Sequence, residues 1–237
     1  MSNGAATVIL VHGAWADASS WSQVIPILLA DGLSVVAAQL PLTSVEDDVA
    51  ATNRAMADVK GPIVLVGHSW GGMAVTESGV NPNVSGLVYV AAFAPDVGES
   101  GSSLIGEHPA PPALSTIVTN SAGFVYQTAE GFISNVAPDL PAQDAKVMAV
   151  TQGPLAAAAF GQAAKAAAWK GKPSWYVLSA NDRVVNRVVS PSLQSALSER
   201  MGAKVTALQS GHMSLISHAR EVAKVILEAV AKVSSQA

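Results

Sequence analysis

The 237 residues, half of them hydrophobic, suffice for one large core, and α/β folds of this length commonly form a single domain. A formal net charge of -4 with only 13% charged residues, and no Lys/Arg cluster, excludes a nucleic-acid partner. The absence of cysteine excludes disulfides, thiolate metal sites and cysteine nucleophiles.

Met1 to Ala6 have neither a basic region nor a long apolar run, so a cytoplasmic protein without a signal peptide is expected. The longest wholly apolar stretches, such as Leu87 to Ala94, fall far below the roughly 20 residues that span a bilayer, and no membrane partner is expected.

Apolar runs at Val8 to Val11, Leu33 to Leu40, Ile63 to Val66, Leu87 to Phe93, Trp175 to Leu178 and Val205 to Leu208 read as strands. Helical patterns lie between most of them, the rhythm of a mostly parallel α/β sheet of about six strands. After Trp21 a helix contains Pro26, which fits only in a first turn. Ser44 and Asp47 resemble a capping box opening an amphipathic helix to Val59. Gly61-Pro62 starts the third strand, and Met73 to Glu77 continue as helix up to Gly79.

From Glu99 to Lys172 the rhythm breaks among many prolines, which suggests a helical cap inserted after the fourth strand between core segments 1–98 and 173–237. Alanine-rich Ala156 to Ala168 reads as a tightly packed helix within it. Such an insert would lie over the crevice where open α/β sheets hold ligands. Beyond it, Ser190-Pro191 reads as a helix start closed by Gly202, and Ser217 opens a last helix whose Val222, Val225, Ile226, Ala229 and Val233 face the sheet.

Gly67-His68-Ser69-Trp70-Gly71-Gly72 sets one serine between glycines where a strand can turn sharply into a helix. That turn holds a hydroxyl rigid and exposed, which a weak nucleophile needs, and side chains at positions 67 and 71 would collide within it. A base must then take the proton of Ser69. His12 ends a strand, His68 faces away from the serine, His108 lies among prolines and His218 stands at a helix start. His212, in the Ser210-Gly211-His212 loop after the last strand, is the candidate base. A carboxylate must orient it. Asp182, a few residues past Trp175 to Leu178, fits the Ser-Asp-His order of this architecture, and Asp96 is the rival. The backbone N–H groups of Trp70 and Ala14, the latter in His12-Gly13-Ala14-Trp15, are candidate oxyanion donors.

At these residues the chain resembles the α/β-hydrolase superfamily from Thr7 to the last helix. His12-Gly13-Ala14, Gly67 to Gly72 and Gly211-His212-Met213 resemble its plant methyl-ester hydrolase and hydroxynitrile lyase branch with bacterial relatives. The resemblance implies a cofactor-independent carboxylic ester hydrolase. The lyases of that branch carry lysine after the catalytic histidine and threonine after the first-strand histidine, whereas this chain has Met213 and Gly13, which favours esterase. Lyase or perhydrolase chemistry on the same residues, and a non-catalytic small-molecule receptor, remain alternatives.

A small-molecule ester is the expected partner, with Trp15, Phe93, Phe124, Phe160 and Met213 as candidate pocket linings. No G-x-G-x-x-G or Walker motif and no metal-ligand spacing occurs, so no dinucleotide or metal is expected. The oligomeric state is left open, a homodimer among the options.

Overall fold

The computed structural model describes residues 6–185 and 192–235. Six strands, β1 (Thr7–Val11), β2 (Val35–Ala38), β3 (Ile63–His68), β4 (Val84–Val90), β8 (Ser174–Ser179) and β9 (Lys204–Leu208), form one sheet in the order β2-β1-β3-β4-β8-β9. Every pairing within it is parallel. The central strand β3 is buried at every position. That explains why its sequence lacks the in-out alternation of a strand with one wet face.

Helices α2 (Val45–Met56) and α3 (Gly71–Ser78) pack together, α2 also against β1 and β2 and α3 against β1, β3 and β4. Helices α1 (Ile25–Ala30) and α9 (Ala219–Ser234) pack together, and α9 also meets β3, β4 and β8. Helix α9 buries Val222, Val225, Ile226, Ala229 and Val233, as its spacing predicts, because residues three and four apart share a helix face. Pro26 sits in the first turn of α1, where a missing N–H costs nothing.

Several boundaries differ from the sequence reading. Helix α2 begins at the expected Ser44 cap, with the Ser44 hydroxyl accepting the Asp47 N–H at 3.0 Å, but it ends at Met56 rather than Val59. Strand β2 is four residues long, shorter than the apolar run 33–40, and β4 spans Val84–Val90 rather than reaching Phe93. Ser217 does not open the last helix. It closes the short helix α8 (Ser214–Ser217), and His218 caps α9. Ser190 and Pro191 lie outside the described residues; helix α7 (Leu193–Arg200) is capped by Ser192, and Gly202 follows it at φ 60°.

The segment between β4 and β8 is less helical than its composition suggests. It holds α4 (Gly101–Gly106), the strands β5 (Ile117–Thr119), β6 (Phe124–Gln127) and β7 (Leu155–Ala156), the short α5 (Ala129–Gly131) running into a π-helical turn, and α6 (Ala142–Thr151). The three strands form an antiparallel sheet. The alanine-rich stretch is not one α-helix: Leu155–Ala156 pair as β7, Ala157–Gly161 and Ala168–Lys170 form only short 3-10 turns, and Ala156 donates to Leu42 O and Ala157 to Gly123 O, so distant parts of the chain take backbone groups there. Among the described residues, no helix is long and apolar enough to cross a membrane.

Candidate active site

A parallel sheet sends every strand's C-terminal end to one edge, so the loops after β1, β3, β8 and β9 meet there. Ser69 follows β3 at φ 52°, a left-handed conformation that a non-glycine residue keeps only when its surroundings enforce it. The enforcement is visible. Ser69 N–H donates to Val90 O at 3.1 Å, and Ser69 O accepts from Phe93 at 3.1 Å and from Gly72 at 3.0 Å. A Cβ on Gly71 would stand 2.5 Å from His12 O, and one on Gly72 would overlap Phe93 O, so both positions need glycine for lack of space.

The neighbouring turn of β4 is strained as well, with Ala91 at φ 45°. Tyr176 secures it, its hydroxyl donating to Ala92 O at 2.6 Å and accepting the Ala92 N–H at 3.2 Å. Burial pushes that phenol well above its ordinary pKa, which keeps the donor proton in place.

His212 and Asp182 come together. His212 Nδ1 lies 2.9 Å from Asp182 Oδ2, and both residues are buried. Since the carboxylate accepts, Nδ1 carries the hydrogen and Nε2 presents its lone pair. Adjacent strands make the pairing possible: Asp182 follows β8 and His212 follows β9, and the loops are joined by Asn181 N–H to Ser210 O at 3.0 Å and by Ser210 Oγ to Ser179 Oγ at 3.1 Å.

Asp182 is fully engaged. Its Oδ1 accepts the N–H groups of Val184 and Val185 at 2.7 and 3.1 Å, and its Oδ2 also accepts Gln194 Nε2 at 2.6 Å. Gln194 returns through Oε1 to the Ser179 N–H at 2.9 Å. A carboxylate with every donor accounted for resists rotation and holds the imidazole plane. Asp96, the rival, is half-exposed and instead pairs with Lys170 at 2.6 Å, which with Arg200 holds its carboxyl below the usual range. Its backbone position caps a turn, and no bond joins it to His212.

The other histidines have separate uses. His12 accepts the Leu40 N–H at Nε2, 2.9 Å, so Nδ1–H donates to Gly13 O at 2.8 Å, and burial lowers its pKa. His218 bonds Ser217 Oγ at the start of α9. His68 does turn away from Ser69, but toward His212: the ring centroids are 4.7 Å apart, and His68 Nε2 donates to His212 O at 3.0 Å. Burial first, and the nearby His212 second, hold its pKa well below the ordinary value, so it is neutral.

Ser69 opens on a narrow cavity of about 20 Å³ lined by Ala14, Trp15, Trp70, Phe93 and Phe160 among others. Among the described residues, no protein acceptor takes the N–H of Ala14 or of Trp70. The cavity shares Ile105, Leu114 and Phe160 with a larger one of about 280 Å³, whose lining is apolar apart from Ser102 and Gly106. Trp15, Phe93 and Phe160 therefore stand where a pocket lining was expected. Phe124 and Met213 do not. In β6 successive side chains alternate, and Val125, not Phe124, faces the larger cavity; Met213 is 1% exposed in the core. Among the described residues, no cluster of three or more His, Asp or Glu could hold a metal ion.

Gln194, His68 and Asp48 were not singled out from sequence as parts of the site. Gln194 and Asp48 sit at ordinary helical positions, and only tertiary structure shows that their polar ends point inward.

Comparison with known proteins agrees with this architecture. The chain is 25% identical to "Probable hydrolase R7" from Phoma sp. (strain ATCC 20986 / MF5453) over 93% of this chain and 96% of the relative. A pyrethroid hydrolase from Sphingobium faniae JZ-2 superposes with a TM-score of 0.75 at 21% identity, covering 95% of this chain and 97% of that one. The methylesterase MES16 from Arabidopsis superposes with a TM-score of 0.76 at 22% identity, covering 95% and 99%. Both are likenesses of fold, and they include the plant methylesterase branch that the motifs resemble. Residues 8–225 match the alpha/beta hydrolase family, and the chain belongs to that family.

Proposed function

We propose that the protein hydrolyses small carboxylic esters through an acyl-enzyme, with Ser69 as nucleophile, His212 as base and Asp182 as its orienter. The observation carrying this reading is the 2.9 Å bond between buried His212 Nδ1 and Asp182 Oδ2, which leaves Nε2 as proton acceptor at the sheet edge where Ser69 is presented.

Ser69 Oγ attacks the ester carbonyl as His212 Nε2 takes its proton. The tetrahedral oxyanion accepts the N–H groups of Trp70, at the start of α3, and Ala14. The intermediate collapses, and the proton on His212 passes to the departing alcohol. Water then attacks the acyl-serine with His212 again as base, releasing the acid and restoring the hydroxyl. The chain's own groups supply each step. The β4–β8 segment serves as a cap, since its Ile105, Leu114 and Phe160 wall the Ser69 cavity. The lack of charge in both linings supports uncharged esters as substrates.

A fluorophosphonate probe and a p-nitrophenyl ester series test this. Wild type should be labelled and active. Ser69→Ala should escape labelling and lose about 10⁶ in turnover, and Asp182→Asn about 10⁴. Near-normal hydrolysis by Ser69→Ala overturns the reading. Cyanohydrin cleavage without ester hydrolysis would replace it with a lyase, and stabilisation by an apolar ligand without labelling would replace it with a receptor.

A further inference from the structure

Asp48 lies on α2 with only 1% of its surface exposed, and its two carboxylate oxygens serve different partners. Oδ1 accepts the Leu42 N–H at 2.9 Å, and Oδ2 accepts the Trp70 indole Nε1–H at 2.8 Å. Both partners lead to the site. Trp70 directly follows Ser69, walls its cavity, and packs on Phe160 and Phe93 with ring centroids 5.4 and 6.5 Å away. Leu42 is held at φ 59°, and its carbonyl accepts the Ala156 N–H of β7 at 2.9 Å, so the same carboxylate braces the corner on which that strand hangs.

The hydrolytic steps above use neither oxygen. Ionised, the carboxylate accepts both donors. Protonated, it turns one oxygen into an uncharged hydroxyl, a poorer acceptor than a carboxylate oxygen, and one of the two contacts weakens. We propose that Asp48 is a positioning residue that, in its ionised form, fixes the Trp70 indole and through it the candidate oxyanion amide beside Ser69. The inference rests on the ester hydrolase reading, because it assigns Asp48 a part in that reaction.

The ionisation falls in a useful range. Burial pushes the Asp48 carboxyl up to about 6, opposed by the Trp70 and Leu42 hydrogen bonds and assisted by the nearby Asp47 charge. On the elements packed against α2, Glu77 of α3 accepts the Lys165 N–H, His12 after β1 is kept neutral by burial, and β2 carries no titratable group. On α2 itself Glu46 pairs with Lys165, and Arg54 lies in the last turn. No cation bonds the Asp48 carboxylate among the described residues, so its charge rests on the two N–H donors.

The test follows the Trp70 indole Nε1–H resonance by NMR against pH, assigned by its loss in Trp70→Phe, together with kcat and KM for p-nitrophenyl acetate. In wild type the resonance should shift with a midpoint of about 6, and in Asp48→Asn it should not titrate. Asp48→Asn should lower kcat about tenfold while KM changes less than about threefold, and it should add little to Trp70→Phe, as expected of two residues acting as one unit. A wild-type resonance that stays fixed across this range overturns the proposal, as does an equal shift in Asp48→Asn or an unchanged kcat. If Trp70 titrates as expected but no ester is turned over, the ester hydrolase reading fails and Asp48's part in that reaction fails with it; a fixed resonance in an active esterase removes the proposal alone.

Discussion

His68, the residue before the candidate nucleophile, donates from Nε2 to the backbone carbonyl of His212 at 3.0 Å. The strand that presents Ser69 thus also fixes the loop that presents the candidate base. Burial keeps His68 neutral, so it serves as a donor with no charge to repel an imidazolium forming beside it.

Replacing His68 by Leu removes that donor and leaves a buried carbonyl without it. A loss of about 1 to 3 kcal/mol in stability is expected. Looser placement of His212 should cost roughly tenfold in kcat, equivalent to about 1.4 kcal/mol in the barrier. Thermal denaturation and turnover of a p-nitrophenyl ester measure the two effects, and an unchanged kcat would show that the contact does not position the base.

The elbow glycines should differ sharply from glycines elsewhere. A Cβ on Gly72 would overlap the Phe93 carbonyl oxygen, whereas one on Gly171 meets nothing within 4 Å. Gly72→Ala should therefore destabilise by roughly 3 kcal/mol or more, and Gly171→Ala should stay within about 0.5 kcal/mol of wild type. Denaturant melts of the two variants settle it; equal midpoints would contradict the close packing between α3 and the end of β4.

Asp48 also makes a signed prediction for stability. Its folded pKa of about 6 lies above the usual 3.8, so folding favours the protonated form. That contribution is fully present below the unfolded value and is lost as pH rises through about 6. Relative to Asp48→Asn, wild type should gain on the order of 1 kcal/mol as pH falls from roughly 7.5 to 5. Paired melts across that range check the slope, and parallel curves would show that the carboxyl is not perturbed. The form that holds Trp70 is then the less stable one, a cost often found where geometry is kept for chemistry.

What sequence could show followed physical regularity. Buried parallel strands announce themselves as apolar runs, and the glycines around Ser69 mark a turn that tolerates no Cβ. His212 and Asp182 were within reach because parallel topology places loops after successive strands at one edge. The β4–β8 segment was harder. Its alanines favour helix locally, yet Ala156 and Ala157 bond to Leu42 and Gly123, a choice made by distant chain that local propensity cannot register. Phe124 and Val125 make the same point on a finer scale, since one residue of register decides which of them meets the cavity. Gln194 and Asp48 were hidden because a polar residue on an amphipathic helix ordinarily faces water.

Asp139 belongs to the β4–β8 segment, yet its Oδ2 accepts the Gly211 N–H and the Ser217 hydroxyl, each at 2.8 Å, on either side of the loop that carries His212. A foreign segment grafted into this chain without an acceptor at that spot would strip the His212 loop of two of its ties, leaving His212 to the grip of Asp182 and His68.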